Sequence, residues 1–104
     1  MTISDIKAKL AAVDPAVRHY YSMGTGEAYT CWEETQRLPL VGDDYHCEIG
    51  WRFYVHRFTK TEDDTIADAL WTALDTAPEI AAQHTVTYEP DTGYIHHIFT
   101  CEAV

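Results

Sequence analysis

From Cys47 to Lys60 the chain alternates: Cys47, Ile49, Trp51, Phe53 and Val55 recur at spacing two, with Glu48, Gly50, Arg52, Tyr54 and His56 between them. Strict alternation marks a strand with one buried and one wetter face, and aromatic and β-branched side chains suit a pleated, half-buried surface. This segment predicts a central strand. Upstream, Thr2 and Asp5 form the spacing of a capping box and open a helix with apolar positions Ile3, Ile6, Leu10 and Val13. Asp14-Pro15 ends it, because proline disfavours helical dihedrals in the residue before it.

Ala16 to Met23 holds β-formers without clean alternation, as expected of an edge strand or one wetted on both faces. Gly24-Thr25-Gly26 reads as a turn and Ala28 to Thr35 as the next strand. Residues 36–46, QRLPLVGDDYH, read as a long hairpin loop, with Pro39 and Gly42-Asp43-Asp44 interrupting Leu38, Leu40 and Val41. Such an apolar surface loop needs cover, from its own domain or from a partner.

After the central strand, Thr61 is expected to cap a second helix with Glu62, Asp63 and Asp64 in its first turn, where negative charge favours the helix dipole. Ile66, Leu70, Ala73, Leu74 and Ala77 form its apolar stripe, with Trp71 at the sheet margin and Pro78 at its end. Thr85 to Glu89 and Tyr94 to Ala103 flank the turn Pro90-Asp91-Thr92-Gly93 and predict a hairpin. The order α-β-β-β-α-β-β predicts one α+β domain over residues 1–104. Its expected architecture is a single, mainly antiparallel sheet of five strands with both helices packed on one face.

Composition narrows the function. A chain of 104 residues with 46% hydrophobic content supports one core and argues against disorder. Its formal charge of −10 repels phosphate backbones and anionic lipid, so nonspecific nucleic-acid binding is not expected, and neither specific nucleic-acid binding nor membrane attachment is foreseen. The opening MTISDIKAKL reads as a capped helix rather than a signal peptide, which predicts synthesis in the cytoplasm. Cys31, Cys47 and Cys101 are odd in number and widely spaced, which favours buried free thiols over a disulfide framework.

The six histidines show no metal-binding motif, and adjacent His96 and His97 point to opposite faces of a strand. A cysteine nucleophile needs an electropositive setting that this acidic chain lacks, and the pairs Glu33-Glu34 and Asp43-Asp44 fit solvated surface. No catalytic residue, metal ligand or cofactor is expected. The wet face of the central strand, Arg52, Tyr54, His56 and Phe58, is more aromatic than a freely hydrated face usually is. Together with Leu38, Pro39, Leu40, Val41, Asp43 and Asp44 it forms the expected interface.

The arrangement of these segments resembles the tail-completion, or tail-terminator, proteins of phages and prophages. The resemblance rests on the opening T-I-x-x-I-K-x-x-L helix, the P-A-V-R-H-Y-Y segment before Y-T-C-W-E, and a loop ending in Asp43-Asp44-Tyr45. W-R-F-Y-V-H-R-F-T-K then runs into the acidic helix start E-D-D-T-I-A-D-A-L, and a final hairpin follows. The resemblance implies a non-enzymatic virion protein made in a bacterial host. It would form a homo-oligomeric ring of six copies that caps the tail tube protein, stops its polymerisation and meets a head-tail connector protein. An acidic lumen would let DNA slide without sticking. The alternative is a small cytoplasmic α+β module that binds an apolar ligand or a protein, and a third class is an enzyme.

Overall fold

The computed structural model describes the backbone of residues 1–20, 26–42 and 45–104, and the side chains of these except residues 40–42 and 45–49. Helix α1 spans Ile3–Val13. Thr2 Oγ1 accepts from the Asp5 N–H at 3.1 Å while Asp5 Oδ2 accepts from the Thr2 N–H at 2.8 Å, the reciprocal capping box expected. Asp14 terminates α1, its N–H donating to the Leu10 carbonyl.

Strand β1 is only Arg18–His19, in parallel register with β2, Ala28–Gly42, through Arg18↔Cys31 and His19↔Trp32. The edge strand expected over 16–23 is therefore two residues long among those described. Tyr20 follows at φ 73°, a left-handed conformation that ends strand geometry; the rest of that expectation, residues 21–23, and residues 24–25 of the expected turn lie outside the described residues.

β2 pairs antiparallel with β3, Tyr45–Thr59, from Ala28↔Thr59 to Gly42↔Tyr45. The loop expected over 36–46 is thus overturned: β2 continues to Gly42 and β3 starts at Tyr45, with register shifts at Glu34/Gln36 and Leu40/Val41. Beyond Trp32, β2 pairs with β3 alone among the described residues, and such an edge is where a sheet tolerates a residue without an N–H such as Pro39. Asp43 and Asp44 lie outside the described residues.

Helix α2, Thr65–Asp75, is capped by Asp64, whose carboxylate accepts from the Ala67 N–H at 2.9 Å. The expected cap at Thr61 falls one turn too early. Its N–H is taken by Thr59 Oγ1, and Glu62 and Asp63 precede the helix. Strand β4, Ile80–Glu89, begins five residues before the expected Thr85, and β5 covers Tyr94–Ala103. Gly93 at φ 77° closes the β4–β5 turn.

The five-stranded sheet has the order β1-β2-β3-β5-β4, antiparallel except for β1 with β2. β3 and β4 both run antiparallel to β5 and hence in the same direction, which makes α2 the crossover of a split βαβ unit. Ile6 and Leu10 of α1, Leu70 and Leu74 of α2, and Trp32, Phe53, Val55, Phe99 and Cys101 of the sheet form one buried cluster. Both helices therefore cover one face.

On that inner face β3 continues past Val55 with a cation. Arg57 is buried beneath the ends of both helices. It donates from Nε and Nη2 to the two oxygens of Asp64 at 2.8 and 3.1 Å, and from Nη1 to Thr30 Oγ1 at 3.1 Å. Asp14 Oδ2 lies 3.7 Å away. One guanidinium thereby links the end of α1, the start of α2 and two strands. Burial pushes the Asp64 carboxyl up, but the bonds from Arg57 and Ala67 outweigh it and hold it below its usual range.

Candidate interaction surfaces

Register decides what each strand shows on the face away from the helices. Tyr29↔Phe58, Cys31↔His56 and Phe58↔His96 bring β2, β3 and β5 side chains together there. Tyr29 stacks on Phe58 at 4.7 Å, Phe58 on His96 at 4.1 Å, and Tyr94 meets Phe58 edge-on at 5.9 Å. Offset and edge-to-face contacts of this kind stabilise aromatic clusters beyond their buried area. The Tyr94 hydroxyl donates to the Gly26 carbonyl at 2.6 Å, and Lys60 Nζ sits 5.1 Å above the Tyr94 ring. Tyr29, Cys31, Glu33, His56, Phe58 and His96 surround an open depression of about 260 Å³.

The sequence-predicted residues divide into two groups. Arg52, Tyr54, His56 and Phe58 are all half-buried on this outer face, as their alternation required. Arg52 is not a free charge: it donates to Glu102 Oε1 at 2.6 and 3.2 Å and to Gln36 Oε1 at 2.9 Å. Its bonds to Glu102 raise its already high pKa.

Leu38, Pro39, Leu40 and Val41 stand instead on the far part of the β2–β3 hairpin. β5 pairs with β3 only from Trp51 onward and β1 reaches β2 only at Cys31 and Trp32. From Leu38 to Gly50 the two strands consequently have only each other for sheet neighbours among the described residues. Leu38 is half-buried and Pro39 exposed, and Arg37 lies over the Trp51 ring at 4.9 Å. The long axis of 51 Å against 24 and 23 Å reflects this arm. So does a radius of gyration of 14.6 Å, where a compact chain of this length gives about 13 Å.

Gly50 sits where the arm leaves the sheet. A Cβ there would come within 2.8 Å of the Ala103 carbonyl oxygen, so the close approach of β3 and the end of β5 needs glycine. The opposite margin of the sheet is β4. Among the described residues it pairs only with β5; it exposes Val86 and Tyr88, and contains no proline or lysine to blunt its edge.

Sequence reasoning did not find this open edge, the Arg57 cluster, or two cross-strand histidine pairs. His56 Nδ1 and His96 Nε2 are 2.9 Å apart on the outer face, and His84 Nε2 and His97 Nδ1 are 2.9 Å apart on the inner one. The only sequence signal was parity: His56 and His96 fall on outward positions, but which strands adjoin is set by topology. On the inner face Trp71 stacks with His84 at 5.8 Å, as its place at the sheet margin required. Burial, then the charge of its partner, lowers the pKa of His84 and of His96, and burial lowers that of His97.

Chemistry on these surfaces is quiet at sulfur. Burial and then Glu33 raise the Cys31 pKa, and burial pushes Cys101 up to about 12, so both are protonated free thiols rather than nucleophiles. The Cys47 side chain lies outside the described residues. Among the described residues no three His, Cys, Asp or Glu groups converge on one point, and no helix is long and apolar enough to cross a membrane. Neither a protein-family model nor a curated protein sequence matches this chain.

Proposed function

We propose that the chain is a structural subunit of a phage tail, one copy of a homo-oligomeric ring that caps the tail tube and joins it to the head. The observation that carries this reading is the arm over residues 38–50. A two-stranded hairpin alone is at best marginally stable in water, so an arm with no third strand calls for a surface outside its own domain. The open edge of β4 lies at the other end of the sheet. Two different, unsatisfied surfaces favour head-to-tail contacts, which close into a ring when the rotation permits. The charge of −10 per copy suits a lumen through which DNA passes.

Mass photometry and negative-stain electron microscopy of the purified protein, alone and mixed with a tail tube protein, test the reading. Rings are expected, tightening as salt screens the repulsion between copies, with tubes capped in the mixture. A strict monomer at high concentration and moderate salt, with tube protein present, contradicts it.

A further inference from the structure

The outer-face histidine pair has a surrounding that the inner-face pair lacks. The His56 and His96 nitrogens that face each other are 2.9 Å apart, and each ring turns its other nitrogen toward a carboxylate. His56 Nε2 is 3.6 Å from Glu33 Oε1, and His96 Nδ1 is 3.3 Å from Glu89 Oε2. The line Glu33, His56, His96, Glu89 thus draws one side chain from each of β2, β3, β5 and β4. We propose that the gap between His56 Nδ1 and His96 Nε2 is a binding site for a divalent transition-metal ion of the Zn²⁺, Ni²⁺ and Cu²⁺ class, with Glu33 and Glu89 as outer-sphere carboxylates.

The distances suit that class. With metal–nitrogen bonds of about 2.0 Å, a right-angle bite needs nitrogens about 2.9 Å apart and a tetrahedral bite about 3.3 Å. The separation as it stands matches the right-angle bite of Cu²⁺ and Ni²⁺, and a small outward movement of one ring brings it to that of Zn²⁺. Ligating imidazoles typically give their far N–H to a carboxylate, which fixes the tautomer and raises ligand basicity. That is the disposition of Glu33 and Glu89. Proton balance is simple: two neutral rings hold two protons, one of them in the gap. Metal entry shifts that proton to the far nitrogen of the same ring, facing its carboxylate, with no proton released.

Charge and access agree. Two carboxylates offset the charge of a dication in a chain of net −10. The depression of about 260 Å³ leaves room for water to complete the coordination. The inner pair supplies a control within the same molecule, because His97 Nε2 is buried without a hydrogen-bond partner among the described residues. Among the described residues no carboxylate hydrogen-bonds that nitrogen.

Titration of the full chain with Zn²⁺ and with Ni²⁺, followed by calorimetry and by ¹⁵N chemical shifts of the imidazoles, tests the site. One ion per chain is expected, with the largest shifts at His56 Nδ1 and His96 Nε2. His56→Gln and His96→Gln should each weaken binding at least 100-fold, while E33Q and E89Q, which keep both ligands and should fold normally, weaken it about tenfold or more. His84→Gln and Cys31→Ser should leave it unchanged. Absence of binding at millimolar Zn²⁺ and Ni²⁺ overturns the proposal. So does binding that survives loss of both outer-face imidazoles, or that disappears with His84 or Cys31 instead.

Discussion

The β2–β3 hairpin is one continuous pair of strands with two different fates. Its near half, residues 28–35 with 51–59, carries Trp32, Phe53 and Val55 under two helices, all with no exposed surface. Its far half, residues 38–50, has neither a third strand nor a helix beneath it among the described residues. The same backbone ladder serves both halves, so hydrogen bonding does not distinguish them. Burial does: net hydrogen bonds contribute about 1 kcal/mol each, and a core aromatic contributes several times that. The near half is held by its own domain, and on the proposed reading the arm gains its stability from contact with another surface.

The strongest way to break this contrast is at Phe53. Phe53→Ala should cost about 3 to 5 kcal/mol, a large share of the stability of a small domain, and abolish the cooperative melt in circular dichroism. Arg57→Ala should follow at about 3 kcal/mol, because it strands the buried Asp64 carboxylate. Chemical denaturation measures it, and a loss below about 1 kcal/mol would mean the guanidinium links the helix ends only weakly.

The same cluster predicts an acid response. Asp64 has a folded pKa below its unfolded one, so its stabilisation is present above the usual carboxylate range and is lost as pH falls through the folded value. His84, His96 and His97 have folded values below the ordinary 6.5, so the unfolded chain binds protons first and stability starts to fall as pH drops through 6.5. Melting temperature between pH 7.5 and 2 should therefore fall in two stages. Arg57→Met should flatten the second stage and leave the first.

Gly50→Ala acts at the boundary between the two halves. Its Cβ would press on the Ala103 carbonyl, and a strain of about 1 to 3 kcal/mol is expected. Hydrogen exchange should show the end of β5 loosening while α1 and α2 stay protected.

Much of the body was legible in the sequence because local rules there agree with the tertiary fold. The Thr2/Asp5 box, the Asp14-Pro15 stop, the outward parity of Arg52, Tyr54, His56 and Phe58, and the β4–β5 hairpin each rest on neighbours in the chain. The arm was misread for a physical reason. Pro39 and Gly42 are turn signals, yet an edge strand tolerates the first and β2 runs on to the second. Asp64 displaced Thr61 as the helix cap because Arg57, seven residues earlier on β3, holds it there through its side chain. Cross-strand pairs such as His56 with His96 depend on register, and the shift at Glu34/Gln36 is not written in any periodicity.

The smallest expected effect on stability is also the most direct test of the central claim. Leu38→Ser combined with Leu40→Ser changes the arm, and Leu38 stands outside the buried cluster. Melting temperature and sedimentation velocity should be measured on the same samples of variant and wild type. A loss of less than about 0.5 kcal/mol is expected, with no assembly and, in a phage carrying the variant, tails of uncontrolled length or tails that do not join heads. A loss of several kcal/mol, or normal assembly by a well-folded variant, would contradict the claim.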